Sequence, residues 1–302
     1  MRGSLLIACS ASLWGLWSIF YRSAERAALP TVLSAEVEGI VVLGLMGVVL
    51  LPIALRDCAR APARARGDWL RLCFAGVLDG LNFLTFLLAM QRTTVAVAVL
   101  THYLAPLVVA LLAPLLLGER WRLRTFGALA AALLGLGLLL QPWAHPLSGP
   151  ELSGALFGAA SALCYGGSVV VQKRLVTRFS AWELGAFSKA PALLILLLVL
   201  PSAHDLVLAP APLAWLLAGG LLCGALPLVL FFTGLATTPA SRAGVLTLCE
   251  PLVAVLAGAL VWQEPLGASA ALGAGLMLVA AAWMSKGEPS ARAPGPSASS
   301  GA

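Results

Sequence analysis

Long apolar runs separated by short polar connections dominate the chain. Each run is close to the 20 or so residues that a helix needs to cross a bilayer. We place ten of them, at Ser4–Tyr21, Thr31–Leu55, Trp69–Met90, Thr94–Leu117, Leu123–Gln141, Leu152–Gln172, Ala181–Leu200, Pro212–Thr237, Arg242–Trp262 and Leu266–Ser285. Because hydrocarbon leaves no partner for an unpaired backbone group, this pattern predicts transmembrane helices.

Composition favours the same class. Hydrophobic residues make up 60% of the 302 residues and charged residues only 11%, with a mean hydropathy of +0.96. A soluble domain carries about 25% charged residues. We therefore predict an all-α integral membrane protein of ten helices with the lipid bilayer as its solvent. The final segment, 286–302, is rich in Pro, Gly, Ser and Ala and is predicted to be a disordered cytoplasmic tail.

The cations predict the orientation. If the N-terminus is cytoplasmic, fifteen Lys and Arg residues fall on the inner side of the membrane and three (Arg22, Arg26 and Arg92) on the outer side. This asymmetry follows the positive-inside rule and needs an even number of spans, so both termini are predicted to be cytoplasmic. The formal net charge of +6 is then explained by loops between helices, and no nucleic-acid partner is expected.

The chain also resembles itself. At an offset of 145 residues Pro106 falls on Pro251 and Glu119 on Glu264, and at an offset of 151 Trp14-Gly15 falls on Tyr165-Gly166. These matches predict two repeats, over residues 1–143 and 150–285. Five helices in a repeat make the second copy enter from the opposite face, so the two are predicted to be inverted. Inverted repeats are typical of secondary transporters, which bind substrate near the midplane between the repeats.

These residues resemble a known family. Trp14-Gly15 in the first helix, the run from His102 through Pro106 to Glu119, and Glu250-Pro251 leading to Glu264 are similar to EamA-type transporters of the drug/metabolite transporter superfamily. The resemblance covers nearly the whole chain. It implies a bacterial inner-membrane permease, often an exporter of amino acids or other small metabolites, that needs no ATPase.

Ionisable groups within the spans are the candidate functional residues, because each costs about 2.5–3.5 kcal/mol to insert. With aromatic neighbours they give the predicted substrate site: Lys189, Glu250, Glu38, His102, Trp14, Tyr103 and Tyr165. Glu36, Asp79 with Asn82, and Trp17 are weaker candidates. For all of the charged residues the alternative is a structural ion pair or hydrogen bond between helices.

Glu38 and Lys189 are repeat equivalents at the offset of 151, so they are expected to face each other across the cavity. The candidates for carrying a coupled proton are Glu38, His102 and Glu250, since imidazole titrates near neutral pH. Pro106 and Pro251 are the predicted helix breaks or hinges. Glu119 and Glu264 lie at helix ends, where a structural role is expected.

Other function classes fit less well. The sequence has no convincing protease arrangement and no phosphate-binding loop, so an enzyme is not predicted. An intramembrane enzyme, a channel or a purely structural membrane protein is the alternative from a different class, and drug or cation efflux is the alternative on the same fold. No cofactor and no metal are expected, because the six cysteines have no ligand spacing. The expected partners are a small-molecule substrate and the bilayer, and the oligomeric alternatives are monomer and homodimer.

Overall fold

A computed structural model describes residues 2–28, 35–144, 149–199, 209–265 and 267–285, and every regular element in these ranges is helical. The predicted tail, 286–302, lies outside the described residues. The helices are α1 (Arg2–Gly15), α2 (Trp17–Ala28), α3 (Ala35–Arg60), α4 (Arg66–Arg92), α5 (Val95–His102), α6 (Ala105–Leu117), α7 (Leu123–Leu140), α8 (Gly149–Leu175), α9 (Ala181–Phe187), α10 (Lys189–Val199), α11 (Pro210–Gly219), α12 (Leu226–Thr237), α13 (Ala240–Thr247), α14 (Cys249–Trp262) and α15 (Ala268–Ser285).

Within the described residues, nine helical stretches are long and apolar enough to cross a bilayer. Several are built from two consecutive helices, such as α5 with α6 and α13 with α14. The last apolar stretch, Ala268–Met284, is helical but shorter. The predicted boundaries hold to within a few residues at most ends, although α3 continues through Arg60 and α8 begins at Gly149. A π-helical segment, Gly220–Ala225, joins α11 to α12.

Three of the helix interruptions share one cause. Pro106, Pro191 and Pro251 each have no backbone N–H to bond the carbonyl four residues earlier, and the ring clashes with that carbonyl. The preceding helices α5, α9 and α13 end at that fourth residue, namely His102, Phe187 and Thr247. Each proline then sits in the first turn of the next helix, where the missing N–H has no partner to lose.

Helices from the two halves of the chain pack against each other in opposite directions. In the pair α7 and α15, Gly127 lies against Trp283 and Gln141 hydrogen-bonds Ser269, so the residue numbers rise in one helix as they fall in the other. Helix α3 runs in the same way against α9 and α10, with Gly47 against Lys189 and Leu50 against Gly185. These pairs join helices in corresponding places of the two halves.

Equivalent contacts also recur. Gly15 of α1 lies against the backbone carbonyl of Glu250, and Gly166 of α8 lies against that of Ala105. The offsets of 151 and 145 read from the sequence relate one contact to the other. The close approach in each case depends on a glycine, since an added Cβ would meet the carbonyl. The same packing rule therefore operates in both halves.

The glycines of α15 give a matched test of this packing. A Cβ at Gly273 would collide with the carbonyl of Gly135 in α7, whereas a Cβ at exposed Gly275 would meet no atom within 4 Å. We expect Gly273→Ala to destabilise the protein by about 1–3 kcal/mol through overpacking. Thermal unfolding in detergent measures the loss.

Gly275→Ala is the control, and it should match or slightly exceed the wild-type stability, because alanine favours a helix over glycine. Equal unfolding temperatures for the two variants would contradict the described interface between α7 and α15.

Candidate functional site

Two adjoining chambers form a cavity in the middle of the helix bundle. The first chamber has a volume of about 290 Å³ and the second about 470 Å³. Residues from both halves of the chain line them. The walls common to both chambers are Trp14, Trp17, Glu38, Asn82, Phe83, Tyr165 and Glu250. A space of this size between helices suits a small solute.

All seven side chains predicted to bind substrate lie on this cavity. Lys189 lines the first chamber, His102 and Tyr103 line the second, and the remaining four line both. Pro106 also lines the second chamber, whereas Pro251 is buried in the first turn of α14. The Glu36 side chain lies outside what the structure describes. The binding role of these residues stays a prediction.

The ammonium of Lys189 forms an ion pair with Asp79 rather than with Glu38. The Nζ atom lies 3.3 Å from Oδ2 of Asp79, and both side chains are at most 15% exposed. Two neutral groups from α8 complete the shell: the Ser168 hydroxyl donates to Oδ1 at 2.6 Å, and the Gln172 amide donates to Oδ2 at 3.1 Å. Glu38 and Lys189 both line the first chamber, as expected for residues that face each other, but the ion pair forms between α4 and α10, with α8 as its support.

The other two carboxylates have neutral partners. The indole of Trp17 donates to Oε1 of Glu38 at 2.9 Å, and the phenol of Tyr103 hydrogen-bonds Glu250. Glu250 also sits in the first turn of α14, where the helix dipole favours a negative charge. Both carboxylates keep acceptor capacity toward the cavity, because a carboxylate has about four lone-pair sites.

His102 joins a short polar chain. Its Nδ1 lies 2.6 Å from the Ser161 hydroxyl, and that hydroxyl donates to Oδ1 of Asn82 at 2.8 Å. Aromatic rings surround the imidazole, with centroids of Phe86 and Tyr103 at 4.8 and 5.3 Å. The hydrogen-bond partner of the imidazole is thus a serine on the neighbouring helix α8.

The cavity has more carboxyl groups than cationic groups. Its lining includes three carboxylates, one ammonium and one imidazole. The ammonium is already matched by Asp79, so Glu38 and Glu250 face the chambers with only neutral donors as partners. Among the described residues, no group of three or more His, Cys, Asp or Glu is placed to hold a metal ion.

Asp79 was only a weaker candidate in the sequence, and the polar face of α8 that hydrogen-bonds it was not predicted. Ser161, Tyr165, Ser168 and Gln172 stand at spacings of four, three and four residues, so they share one helix face. A polar stripe of this kind on an otherwise apolar span is a signal that the sequence contains. It marks the side of α8 that faces α4, because the Ser168 hydroxyl also lies 3.1 Å from the carbonyl oxygen of Ala75 there.

Comparison with known proteins agrees with this architecture. The model of the EamA-like transporter family matches the chain twice, over residues 1–141 and 152–286. The chain belongs to the EamA-like transporter family. Nearly all of the described helices fall within the two matches, so this EamA-like protein is a multi-pass membrane protein of a transporter family.

Relatives of the EamA-like chain carry the same general description. It is 31% identical over 287 residues to an uncharacterized transporter of Archaeoglobus fulgidus, covering 93% of this chain and 96% of the relative. It is 28% identical over 277 residues to an uncharacterized transporter of Pseudomonas aeruginosa, covering 89% and 88%. A crystal structure at 20% identity superposes with a TM-score of 0.78, covering 94% of this chain and 98% of the other, and shows the shared fold.

The ion pair can be tested by stability. Asp79→Asn leaves the Lys189 ammonium without its counter-charge in a buried place, and we expect a loss of about 3–5 kcal/mol. Lys189→Met should cost less, because Ser168 and Gln172 still donate to Asp79. Thermal unfolding in detergent compares the two variants.

The double variant Asp79→Asn with Lys189→Met removes both charges together. It should be more stable than Asp79→Asn alone, since no unpaired charge remains. If the two substitutions instead add their losses, the pair is not coupled and the assignment is wrong.

Proposed function

We propose that this chain is a secondary transporter that moves a small amine-bearing metabolite, an amino acid or a related compound, across the membrane by alternating access. The observation that supports this most is the excess of carboxylates on a central cavity lined by both halves. An incoming ammonium group satisfies Glu38 and Glu250, which have only neutral partners. An anionic solute would find no free ammonium group in the cavity, since Lys189 is paired with Asp79.

The inverted repeat is part of this proposal. Its support is the double match of one family description, the recurring contacts at Gly15 and Gly166, and the opposite directions of α7 and α15. We also take α15 as the tenth span: its 18 residues reach roughly 27 Å as a helix, near the thickness of the hydrocarbon core. The halves are then related by an axis in the membrane plane.

The proposed setting is the bacterial inner membrane, with both termini in the cytoplasm and export as the direction. The loop cations support the orientation, because fifteen fall on one side and three on the other when ten spans are counted. An EamA-like chain with no phosphate-binding loop draws on ion gradients rather than ATP hydrolysis, and we assign it no catalytic reaction.

Proton coupling follows from the same carboxylates. Carrying an uncompensated charge through the closed state of the cavity is costly in a low-dielectric environment. Either a proton or the ammonium of the solute removes that cost at Glu38 and Glu250. We therefore propose that the two compete, so that solute leaving in one direction is exchanged for protons in the other. His102, hydrogen-bonded to Ser161, is the third candidate on the proton route.

A second candidate substrate is an organic cation without a carboxylate. The aromatic lining supports it, because cations are attracted to the faces of Trp and Tyr rings. Trp14, Trp17, Tyr165 and Phe83 line both chambers beside the two carboxylates. An amino acid and the amine that lacks its carboxyl group distinguish the two candidates directly.

Flux into proteoliposomes tests the proposal. The panel contains amino acids, the matching amines without the carboxyl group, and organic anions, each with and without a pH gradient. We expect amine-bearing solutes to move, anions to be excluded, and the pH gradient to drive uptake. Glu250→Gln and Glu38→Gln should each reduce flux by at least about tenfold, the loss expected for a charged hydrogen-bond partner.

Asp57→Asn is the matched control, because this carboxylate pairs with the exposed Arg56 near the end of α3 and lies outside both chambers. Its flux should equal that of the wild type. A protein that moves none of the panel contradicts the transport proposal, and wild-type flux in Glu250→Gln contradicts the site.

A further inference from the structure

Glu119 and Glu264 occupy equivalent helix ends with the same backbone geometry. Gly118 and Gln263 close α6 and α14 in the left-handed conformation, with φ of 69° and 58°. The next N–H then bonds back into the helix at 3.4 Å, from Glu119 to Ala113 and from Glu264 to Gly258. All of these positions are related by the offset of 145, so the two acids begin from the same local structure.

Their side chains nevertheless have different partners. The Glu119 carboxylate caps the first turn of α13: it accepts from the backbone N–H of Ala240 at 2.5 Å and of Ser241 at 3.2 Å, and from the Ser241 hydroxyl at 2.6 Å. The Glu264 carboxylate pairs with Arg22 and is 49% exposed. Since the backbones match, the difference comes from what lies beside each helix end.

The turn that leads into α13 is held from both sides. Lys173 donates to the carbonyls of Leu235 and Thr238, at 2.5 and 2.8 Å, where α12 ends. Glu119 holds the N–H groups where α13 begins. A cation on helix carbonyls and an anion on helix N–H groups both match the helix dipole. We call the turn Thr237–Ala240, together with its capping side chains Lys173 and Glu119, the Glu119 end.

The equivalent turn in the first half, between α4 and α5, is not held in this way. The residues equivalent to Lys173 and Glu119 are Arg22 and Glu264, at the offsets of 151 and 145. These two side chains form an ion pair with each other instead of capping the turn. Val95 is 58% exposed, whereas its equivalent Ala240 is fully buried. We name this turn, Arg92–Val95, with Arg22 and Glu264 the Glu264 end. The start of α13 is therefore buried against Glu119, whereas the start of α5 is exposed.

We propose that Glu119 and Glu264 form an exchange latch that alternates between the two ends. In the state that the structure shows, Glu119 caps the start of α13 and Lys173 caps the end of α12, while Arg22 and Glu264 form an ion pair with each other. In the opposite state Glu264 caps the start of α5 at the N–H groups of Val95 and Ala96, and Arg22 caps the end of α4. Lys173 and Glu119 then form the ion pair. The latch rests on the proposed alternating access and names the groups that hold each state.

Paired cysteines test the latch without measuring transport. In a chain whose six native cysteines are replaced, Glu119→Cys with Ser241→Cys reports closure of the Glu119 end. Glu264→Cys with Ala96→Cys reports closure of the Glu264 end. Glu264→Cys with Ser241→Cys joins opposite ends and is the control. Mild oxidation in membranes, followed by counting of free thiols by mass spectrometry, measures each link.

The first two pairs should form disulfides and the control pair should not. A third substitution gives a readout that a merely structural glutamate would not move: Glu119→Gln should raise the rate of linking at the Glu264 end by about tenfold, because it weakens the competing state. Failure of the Glu264–Ala96 pair to link at any pH, with or without amine solutes, overturns the latch.

The results that would contradict the transport proposal differ from those that would contradict the latch. If the cysteine-free protein moves no solute while both end pairs link, the proposed function is wrong and the two-state latch stands. If solute moves and each disulfide leaves flux unchanged, the latch is wrong, because a locked end should stop exchange until the disulfide is reduced.

Discussion

A chain that lies mostly in hydrocarbon must pair its backbone groups within its own helices, because lipid offers them no partners. Departures from regular helix are therefore confined to places that face protein or a cavity. The interruptions before Pro106 and Pro251 follow this rule, since both lie in the helices that meet at the centre of the bundle. The same constraint applies to side chains, and it explains why the Asp79–Lys189 pair has hydrogen bonds from Ser168 and Gln172 as well.

The need to pair buried polar groups also decides which carboxyl groups of the cavity are free to bind a solute. Asp79 uses the ammonium of Lys189, and the dipole of α14 and the Tyr103 hydroxyl support Glu250. Glu38 has only the Trp17 indole beside it. The ammonium of Lys189 thus has a structural role, and Glu38 and Glu250 are left to bind a proton or an amine. This division between structural and available charge is the physical basis of the proposed specificity.

Much of the fold was predictable because it depends on pattern and symmetry. Apolar runs located the helices, and the recurrence of Pro106 at Pro251 located two of the breaks. The seven predicted site residues lie on one cavity for a related reason: an ionisable group inside a span has few stable places except the interior. The partners were not predictable, since choosing Asp79 rather than Glu38 for Lys189 depends on how α4 and α10 are rotated. A sequence pattern fixes which face is polar but not which neighbouring face it meets.

The central claim is that one cavity is reached from each side of the membrane in turn. Cys223 tests it most directly, because it lines the first chamber and is only 4% exposed. In a variant that retains this cysteine alone, a small charged thiosulfonate is applied to sealed vesicles of each orientation. Labelling of Cys223 from both faces, slowed by a transported amine, is the predicted result. Labelling from one face only, at every pH and with every solute, would contradict alternating access.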